Sequence, residues 1–330
     1  MQRKTVLGRV AAIAATLAAS AAFATSPAGA QTPETAGHAK QMAHTAAKAA
    51  AAAGNNLRYG GGAIVTSPKV YIVYWGTQWG TGSTVTNDPS GEAALQLNFF
   101  QKLYGSGDTW STSTTQYCQG VATGTTQCNT SGTHVGHPAA NPVGGTWLDS
   151  SAAAPTKPTD AQIAAEAVKA ASHFGVSGTN VQIIVDVPRG STPSGFKTQY
   201  CAWHDMTTTS SGASLPYTNF PYQTDAGSGC GANFVATGSS GVSGASEGVT
   251  IVGGHEYSET VTDPTAGTGW LDSTGYENGD KCAWISSGQG ASAIVNINGG
   301  NFAVQSNWSN NFNSGSGGCV NYYSSASNQH

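Results

Sequence analysis

Acidic side chains are concentrated in one short segment of this chain, and that concentration limits what the chain can fold into. Only 17 of the 330 residues are Asp or Glu, yet seven of them lie between positions 247 and 280. They are Glu247, Glu256, Glu259, Asp263, Asp272, Glu277 and Asp280. Because neighbouring carboxylates repel one another unless something neutralises them, the fold must either spread these groups apart or gather them around a cation.

The middle of this segment predicts a helix that carries a pair of metal ligands. His255 and Glu259 are four residues apart, so on a helix they project from one face, about one turn apart. The spacing is that of the H-E-x-x-H zinc signature, with a glutamate in place of the second histidine. A carboxylate also binds zinc, although each anionic ligand makes the metal a weaker activator of water. Glu256 lies about 100° around the helix from His255 and is the candidate general base.

A third ligand must come from outside the helix, and the sequence leaves its identity open. Asp280 and Glu277 are close enough in sequence to fold back onto the helix. His204 is the imidazole alternative and would restore Lewis acidity to the metal. Asp263 and Asp272 are better explained as cap and turn residues, or as part of a calcium site, because hard oxygen ligands suit Ca²⁺. Zinc is the expected cation and calcium the alternative.

The start of the chain is typical of an exported protein. Residues 1–30 combine a basic beginning, an apolar alanine-rich core over 10–24 and a small-residue cleavage site at 28–30. No stretch is long and apolar enough to predict a membrane span. We expect a removed signal peptide, then an alanine-rich pro-segment or flexible tail over 31–57, then a single globular domain over 58–330. The predicted location is extracellular.

Six cysteines remain after the signal, and none forms a Cys-x-x-Cys pair. They are Cys118, Cys128, Cys201, Cys230, Cys282 and Cys319. An even number in an exported chain predicts disulfides rather than a zinc ribbon. Fifteen pairings are open to six cysteines, and the simplest joins sequence neighbours: 118 with 128, 201 with 230, and 282 with 319.

Low charge limits the partners of the protein. Charged residues make up 9% of the chain and the formal net charge is −4. No basic stripe is present, which argues against nucleic acid as a partner.

The 44 glycines, with many serines, predict long loops. The eight tryptophans would stack on sugar rings wherever they were exposed. The expected partners are extracellular peptides or proteins, or cell-wall polysaccharide, bound by a monomer.

Hydrophobic periodicity predicts a mixed set of strands and helices. The predicted strands are 69–76 and 181–187, with a hairpin at 293–297 and 302–305. The predicted helices are 91–104, 159–174 and 249–262. The last helix should end at Asp263, because the residue before a proline disfavours helical backbone. We expect 199–240 to be irregular. These elements predict an α/β or α+β fold with a single mixed β-sheet, flanking helices and a zincin-like arrangement.

Several of these motifs resemble the extracellular family named for the plant EXORDIUM and phosphate-induced proteins. The residues that carry the resemblance are Gly62–Val65 leading into Val70–Gly76, Tyr200-Cys201 with His204, His255-Glu256-x-x-Glu259, Asp263-Pro264, Trp270, Glu277-x-Gly279-Asp280 and Cys282. The resemblance implies a secreted protein that faces the cell wall or matrix. It draws attention to His255, Glu256, Glu259 and Asp280, and it implies no assigned reaction.

Two functional hypotheses follow from the sequence. The first is a secreted zinc-dependent hydrolase, most like a metallopeptidase, in which Glu256 deprotonates the attacking water. The second is a non-catalytic extracellular protein that uses the same acidic segment for a structural calcium or zinc ion and its loops to bind polysaccharide or protein.

Overall fold

A six-stranded mixed sheet forms the centre of the protein in a computed structural model of the chain. The structure describes residues 39–42, 55–128, 130–235 and 241–322. The predicted signal peptide lies outside the described residues, as do 31–38 and 43–54 of the predicted pro-segment. No helix in the described ranges has the length and apolar character needed to cross a membrane.

The strands of this sheet are β1 Ala39–Met42, β2 Lys69–Trp75, β3 Val143–Asp149, β4 Val181–Val187, β5 Tyr200–Thr208 and β6 Ser214–Pro221. They lie in the order β1-β5-β6-β4-β2-β3. The pairs β6–β4, β4–β2 and β2–β3 are parallel, whereas β5 is antiparallel to both β1 and β6. Every residue of β4 is buried, as expected for a strand covered on both faces of a sheet.

Three helices flank the sheet: α1 Glu92–Lys102, α2 Asp160–Phe174 and α3 Glu247–Thr262. Helix α2 begins at a capping box in which Thr159 and Gln162 satisfy each other's backbone N–H groups, and it ends at Gly175 in the left-handed conformation. It packs on β4 and β6. Helices α1 and α3 pack against each other, and α3 also contacts β5.

A hairpin of β7 Ala293–Ile297 and β8 Gly300–Val304 lies against α3. The remaining paired strands are Arg58–Tyr59 with Trp270–Leu271, Gly80–Thr81 with Thr84–Val85, Cys118–Gln119 with Thr133–His134, and Asn307–Ser309 with Gly318–Val320. The short helical turns are Ser111–Thr114, Gln223–Asp225, Gly227–Cys230, Gly244–Ser246, Asp280–Cys282 and Phe312–Gly315. Long connections join these elements.

The prediction that 199–240 is irregular was wrong, because β5 and β6 occupy 200–208 and 214–221. Pro216 is an unusual residue inside a strand, since proline cannot donate to a ladder. In the structure β6 pairs with β4 only from Tyr217 onward, so Pro216 lies where the strand has one neighbour.

Strand β3 was also not predicted, because two glycines interrupt its apolar pattern. A Cβ at Gly144 would lie 2.3 Å from the Tyr71 ring, and a Cβ at Gly145 would lie 2.9 Å from the Phe174 ring. The strand therefore needs glycine so that these two aromatic side chains can lie across it.

The three predicted disulfides are confirmed. Cys118 pairs with Cys128, Cys201 with Cys230 and Cys282 with Cys319. The mixed α/β fold with a mixed sheet is confirmed as well, and its zincin-like character stays a prediction. The three disulfides are compatible with secretion, and so is the finding that no helix in the described ranges could cross a membrane.

Candidate metal centre

The helix that carries the motif is buried along its whole length. Every residue of α3 is buried, and His255 and Glu259 have no exposed surface. Gly254 lets the aromatic core approach the helix, because a Cβ there would lie 2.9 Å from the Trp110 ring. The indole N–H of Trp110 in turn donates to the carbonyl oxygen of Gln305, 2.9 Å away. Burial of this kind forces any charge on α3 to find a partner inside the protein.

His255 is held in one orientation by Gln305. The Gln305 amide nitrogen donates to the carbonyl oxygens of Gly279 and Ser306, at 2.8 and 3.3 Å, which leaves its Oε1 as an acceptor. That oxygen lies 3.1 Å from Nδ1 of His255, so Nδ1 carries the proton. Nε2 therefore faces the carboxylates of Glu259 and Asp280, where it would be the atom that binds a cation. This is the arrangement that orients a metal-binding imidazole.

Glu259 and Asp280 face this nitrogen from two different elements. Glu259 Oε1 lies 3.0 Å from His255 Nε2, and Asp280 Oδ1 lies 3.7 Å from it. The backbone N–H of Asp280 donates to Glu259 Oε1 at 2.8 Å, which fixes the Asp280–Cys282 turn against the helix. Gly279 permits this approach, because a Cβ there would lie 2.9 Å from both Glu259 Oε1 and His255 Nδ1.

A second group of side chains meets at His204, which lies on strand β5. Its Nδ1 is 3.3 Å from Glu256 Oε2 and 3.6 Å from Glu259 Oε2. Its Nε2 is 3.7 Å from Glu277 Oε1. Both ring nitrogens of His204 thus face carboxylates, whereas His255 has one nitrogen on a neutral amide.

All six predicted site residues therefore converge, and we call them the His/acid cluster: His204, His255, Glu256, Glu259, Glu277 and Asp280. Two overlapping triads could hold a metal ion, because their ligand atoms lie within 4.8 Å of one another: His204 with Glu256 and Glu259, and His255 with Glu259 and Asp280. Glu259 belongs to both, with one carboxylate oxygen turned to each histidine. Within the described part of the chain, the ion pairs of the cluster involve only the two imidazoles.

The residues fit a bound cation. Buried atoms of the cluster without a hydrogen-bond partner are His204 Nε2, His255 Nε2, Glu256 Oε1, Glu259 Oε2 and Glu277 Oε1. Buried polar atoms normally have partners, and an unpaired group costs about 1–3 kcal/mol. Nitrogen and carboxylate donors together suit zinc, whereas Ca²⁺ takes six or more oxygen ligands.

Burial and like charge shift the proton equilibria of the cluster. Burial, and then the charge of Glu259, raise the pKa of Glu277 and of Asp280 well above the usual range. Burial lowers the pKa of His255, but the charge of Glu259, the hydrogen bond to it and the charges of Glu256 and Asp280 together outweigh burial, and the pKa rises to about 10. Protons thus neutralise the cluster when no cation does, and a metal ion would displace them.

Asp263 and Asp272 are turn residues, as the sequence suggested. Asp263 ends α3 and accepts from the backbone N–H groups of 267–269 at 2.6–3.2 Å. Asp272 accepts from the N–H of Thr274 and binds the buried ammonium of Lys281 at 3.0 Å. Neither belongs to a triad with metal-ligand geometry.

Gln305 is the one residue of the site that the sequence did not single out. It follows β8, and its contact with His255 spans 50 positions of the chain. The only feature of the sequence that could have pointed to Gln305 is its place as a polar residue at the end of an apolar strand. Many surface strands end in the same way, so this feature does not single it out.

Comparisons of the chain with protein-family models, with curated proteins and with solved structures find no match. The resemblance to the EXORDIUM family therefore stays a prediction, and the function is argued from the site alone.

Proposed function

We propose that the protein is a secreted zinc-dependent hydrolase of the metallopeptidase type. The observation that carries this proposal is the convergence of His255 Nε2, Glu259 and Asp280 on one buried point. Glu256 follows His255 directly on helix α3. His255, Glu259 and Asp280 would hold the metal. Bound there, zinc would supply a Lewis acid that polarises a carbonyl and acidifies water.

His204 is assigned to positioning rather than to the metal. Its Nδ1 lies within 3.3 Å of Glu256 Oε2, and its other nitrogen faces Glu277. Such an imidazole can hold the Glu256 carboxylate in place while the other carboxylate oxygen stays free of hydrogen bonds.

Glu256 is assigned as the general base. Its Oε1 is buried and has no hydrogen-bond partner, so it is available to accept a proton from water. Water would then attack the carbonyl carbon of a peptide bond, and the proton held by Glu256 would pass to the leaving amine nitrogen. Burial raises the pKa of Glu256, which makes it a better proton acceptor than an exposed glutamate.

One observation favours the alternative, a non-catalytic extracellular protein with a structural cation. The side chains of His204, His255 and Glu259 have no exposed surface, and a hydrolytic site needs access for its substrate. The tryptophans do not support the polysaccharide-binding part of this alternative, because they form no exposed aromatic surface in the described ranges. All eight lie in the described ranges, seven are buried, and Trp147 is half-buried and stacked on His173.

The experiment that separates these functions combines elemental analysis with hydrolysis of a peptide library. Purified protein should contain stoichiometric zinc and cleave peptides, and chelation should abolish cleavage. Glu256→Gln should keep its zinc and lose cleavage by at least about a hundredfold, as expected for loss of a general base.

The matched control is Glu166→Gln, because Glu166 is a buried glutamate of α2 that lies outside the cluster. It should retain both zinc and cleavage. Calcium, or no metal, together with no turnover would support the non-catalytic protein instead. Cleavage that survives chelation would contradict the zinc mechanism.

A further inference from the structure

The first strand of the sheet comes from the segment that the sequence assigns to a pro-segment. Residues Ala39–Met42 form β1 and pair with β5 in antiparallel register. Ala39 is opposite His204, Lys40 opposite Trp203 and Gln41 opposite Ala202. The register shifts after Gln41, so the regular ladder covers residues 202–204 of β5 and has His204, a residue of the His/acid cluster, at one end.

Strand β1 also contacts two further elements that supply cluster residues. It lies against helix α3, which carries His255, Glu256 and Glu259, and against the turn Asp280–Cys282. One four-residue strand therefore lies against the elements that carry five of the six cluster residues. The cluster has almost no exposed surface in this arrangement, with Asp280 the most accessible member at 12%.

An extended peptide can bind a protein by adding a strand to a sheet edge. The hydrogen bonds are made by backbone groups, so this mode accepts many sequences and presents each peptide bond in an extended form. Strand β5 has β6 on one side and β1 on the other. Without β1 it would be an edge strand with a row of unpaired N–H and C=O groups beside the cluster.

We propose that the free side of β5 is the binding site for an extended polypeptide, and that residues 39–42 occupy it as an internal substitute. The protein with β1 in place is then the latent form of the hydrolase. The latency rests on the proposed function, whereas the binding of a peptide strand to β5 does not. The class of substrate is a polypeptide bound in the extended form, antiparallel to β5.

Two proline variants of the full chain test whether β1 pairs in solution. In an antiparallel edge strand, successive N–H groups point alternately toward the partner strand and away from it. Of Lys40 and Gln41, therefore, one donates to β5 and the other does not. Lys40→Pro and Gln41→Pro are thus a matched pair, in which one substitution removes a ladder hydrogen bond and the other is tolerated.

The measurement is amide hydrogen exchange followed by mass spectrometry over residues 200–208. One proline variant should exchange faster there and the other should match the wild type. Residues 181–187 of β4 should stay protected in both variants, which shows that the sheet is intact. A synthetic peptide with the sequence of residues 36–45 should restore protection to the faster variant. The same peptide with proline at both positions 40 and 41 should not.

Cleavage of the peptide library then tests latency. The variant with faster exchange should show kcat/KM raised about tenfold, the effect expected when a strand loses one or two backbone hydrogen bonds. The variant with normal exchange should cleave at the wild-type rate. Zinc content should be equal in all three proteins.

The outcomes separate the two proposals. Unchanged exchange over 200–208 in both proline variants, or no restoration by the peptide, overturns the binding site on β5. Faster exchange with wild-type cleavage overturns latency alone. Faster exchange and restoration, with no cleavage by any of the proteins, overturns the hydrolase and its latency but supports the peptide-binding edge.

Discussion

At the scale of single residues, the hydrogen bond between Gln305 and His255 decides which imidazole nitrogen faces the acids. Gln305 has its amide nitrogen committed to two carbonyl oxygens, so its oxygen must accept. The result is a histidine ring with a fixed orientation, in which Nδ1 donates to Gln305 and Nε2 faces the acids. A residue that never touches the metal would thereby control how well the site binds it.

Gln305→Ala should weaken zinc binding by about 10–100-fold, because the His255 ring loses both its orientation and its proton acceptor. The dissociation constant can be measured by competition with a chromogenic chelator. Gln116→Ala is the matched control, since Gln116 is a buried glutamine that bonds Ser113 and lies outside the cluster. Equal affinities in the two variants would show that Gln305 does not position the ligand.

A second residue-scale prediction concerns Glu166, whose carboxyl group is buried beside Asp149. Burial, followed by the interaction with Asp149, raises its pKa to about 8 from an unfolded value of 4.5. Between those values the folded protein holds a proton that the unfolded chain has released, so the stability from this group is complete below pH 4.5 and is lost as pH rises toward 8. Glu166→Gln removes this dependence.

The free energy of unfolding from urea titrations at pH 5, 6.5 and 8 checks this. The difference between Glu166→Gln and the wild type should move steadily in favour of the variant across that range. A difference that stays constant with pH would mean that Glu166 is already ionised in the folded protein.

The residues of the candidate site were largely predictable, and for a physical reason. His255, Glu256 and Glu259 lie on one helical turn, so their proximity follows from local geometry. Asp280 and Glu277 are held near them by a short connection. His204 lies 51 positions before His255, and its arrival depends on the order of the strands, so the sequence offered it only as an alternative ligand.

At the scale of elements, α3 shows how glycine sets the distance between a helix and its surroundings. Gly253 and Gly254 are adjacent but face different neighbours. A Cβ at Gly253 would be in ordinary contact with the Phe220 ring, at 3.7 Å. A Cβ at Gly254 would lie 2.9 Å from the ring of Trp110, which is buried and hydrogen-bonded.

Gly253→Ala should therefore stabilise the protein by up to about 1 kcal/mol, the gain in helix propensity over glycine. Gly254→Ala should destabilise it by about 1–3 kcal/mol through overpacking, and should also weaken zinc binding, because Trp110 contacts Gln305. Chemical unfolding and zinc titration of the two variants give the comparison. Similar stabilities would show that Trp110 shifts at little cost.

The predicted elements and the missed ones differ in how much of their pattern is local. Strands β2 and β4 are runs of β-branched and aromatic residues, and α1, α2 and α3 show helical periodicity or caps, so local sequence was sufficient. Strand β3 depends on glycines that make room for rings from elsewhere. Strand β6 contains two prolines, of which Pro216 lies before the point where β4 begins to pair.

At the scale of the whole molecule, the disulfides have unequal roles. The bond between Cys282 and Cys319 links the turn that contains Asp280 to the strand Gly318–Val320, whereas the bond between Cys118 and Cys128 closes a loop that supplies no residue of the cluster. The sequence predicted the pairing from proximity along the chain. It could not predict which bond supports the site.

Replacing both Cys282 and Cys319 by alanine should lower the free energy of unfolding by about 4 kcal/mol, and replacing Cys118 and Cys128 by about 3 kcal/mol, from the loop lengths they close. Only the first pair of substitutions should also weaken zinc binding. Urea unfolding and zinc titration of both variants test this. Loss of zinc affinity in both would point to a general loosening of the fold.

The His/acid cluster has a consequence for how the chain reaches its native state. Its interior negative charge has no lysine or arginine among the described ion pairs to balance it. The missing positive charge must be drawn from the surrounding medium, either as hydrogen ions or as a dissolved metal. Refolding yield at neutral pH should accordingly depend on trace metals in the buffer. A dissolved cation would then be consumed, in a fixed ratio to the chain, as the protein matures.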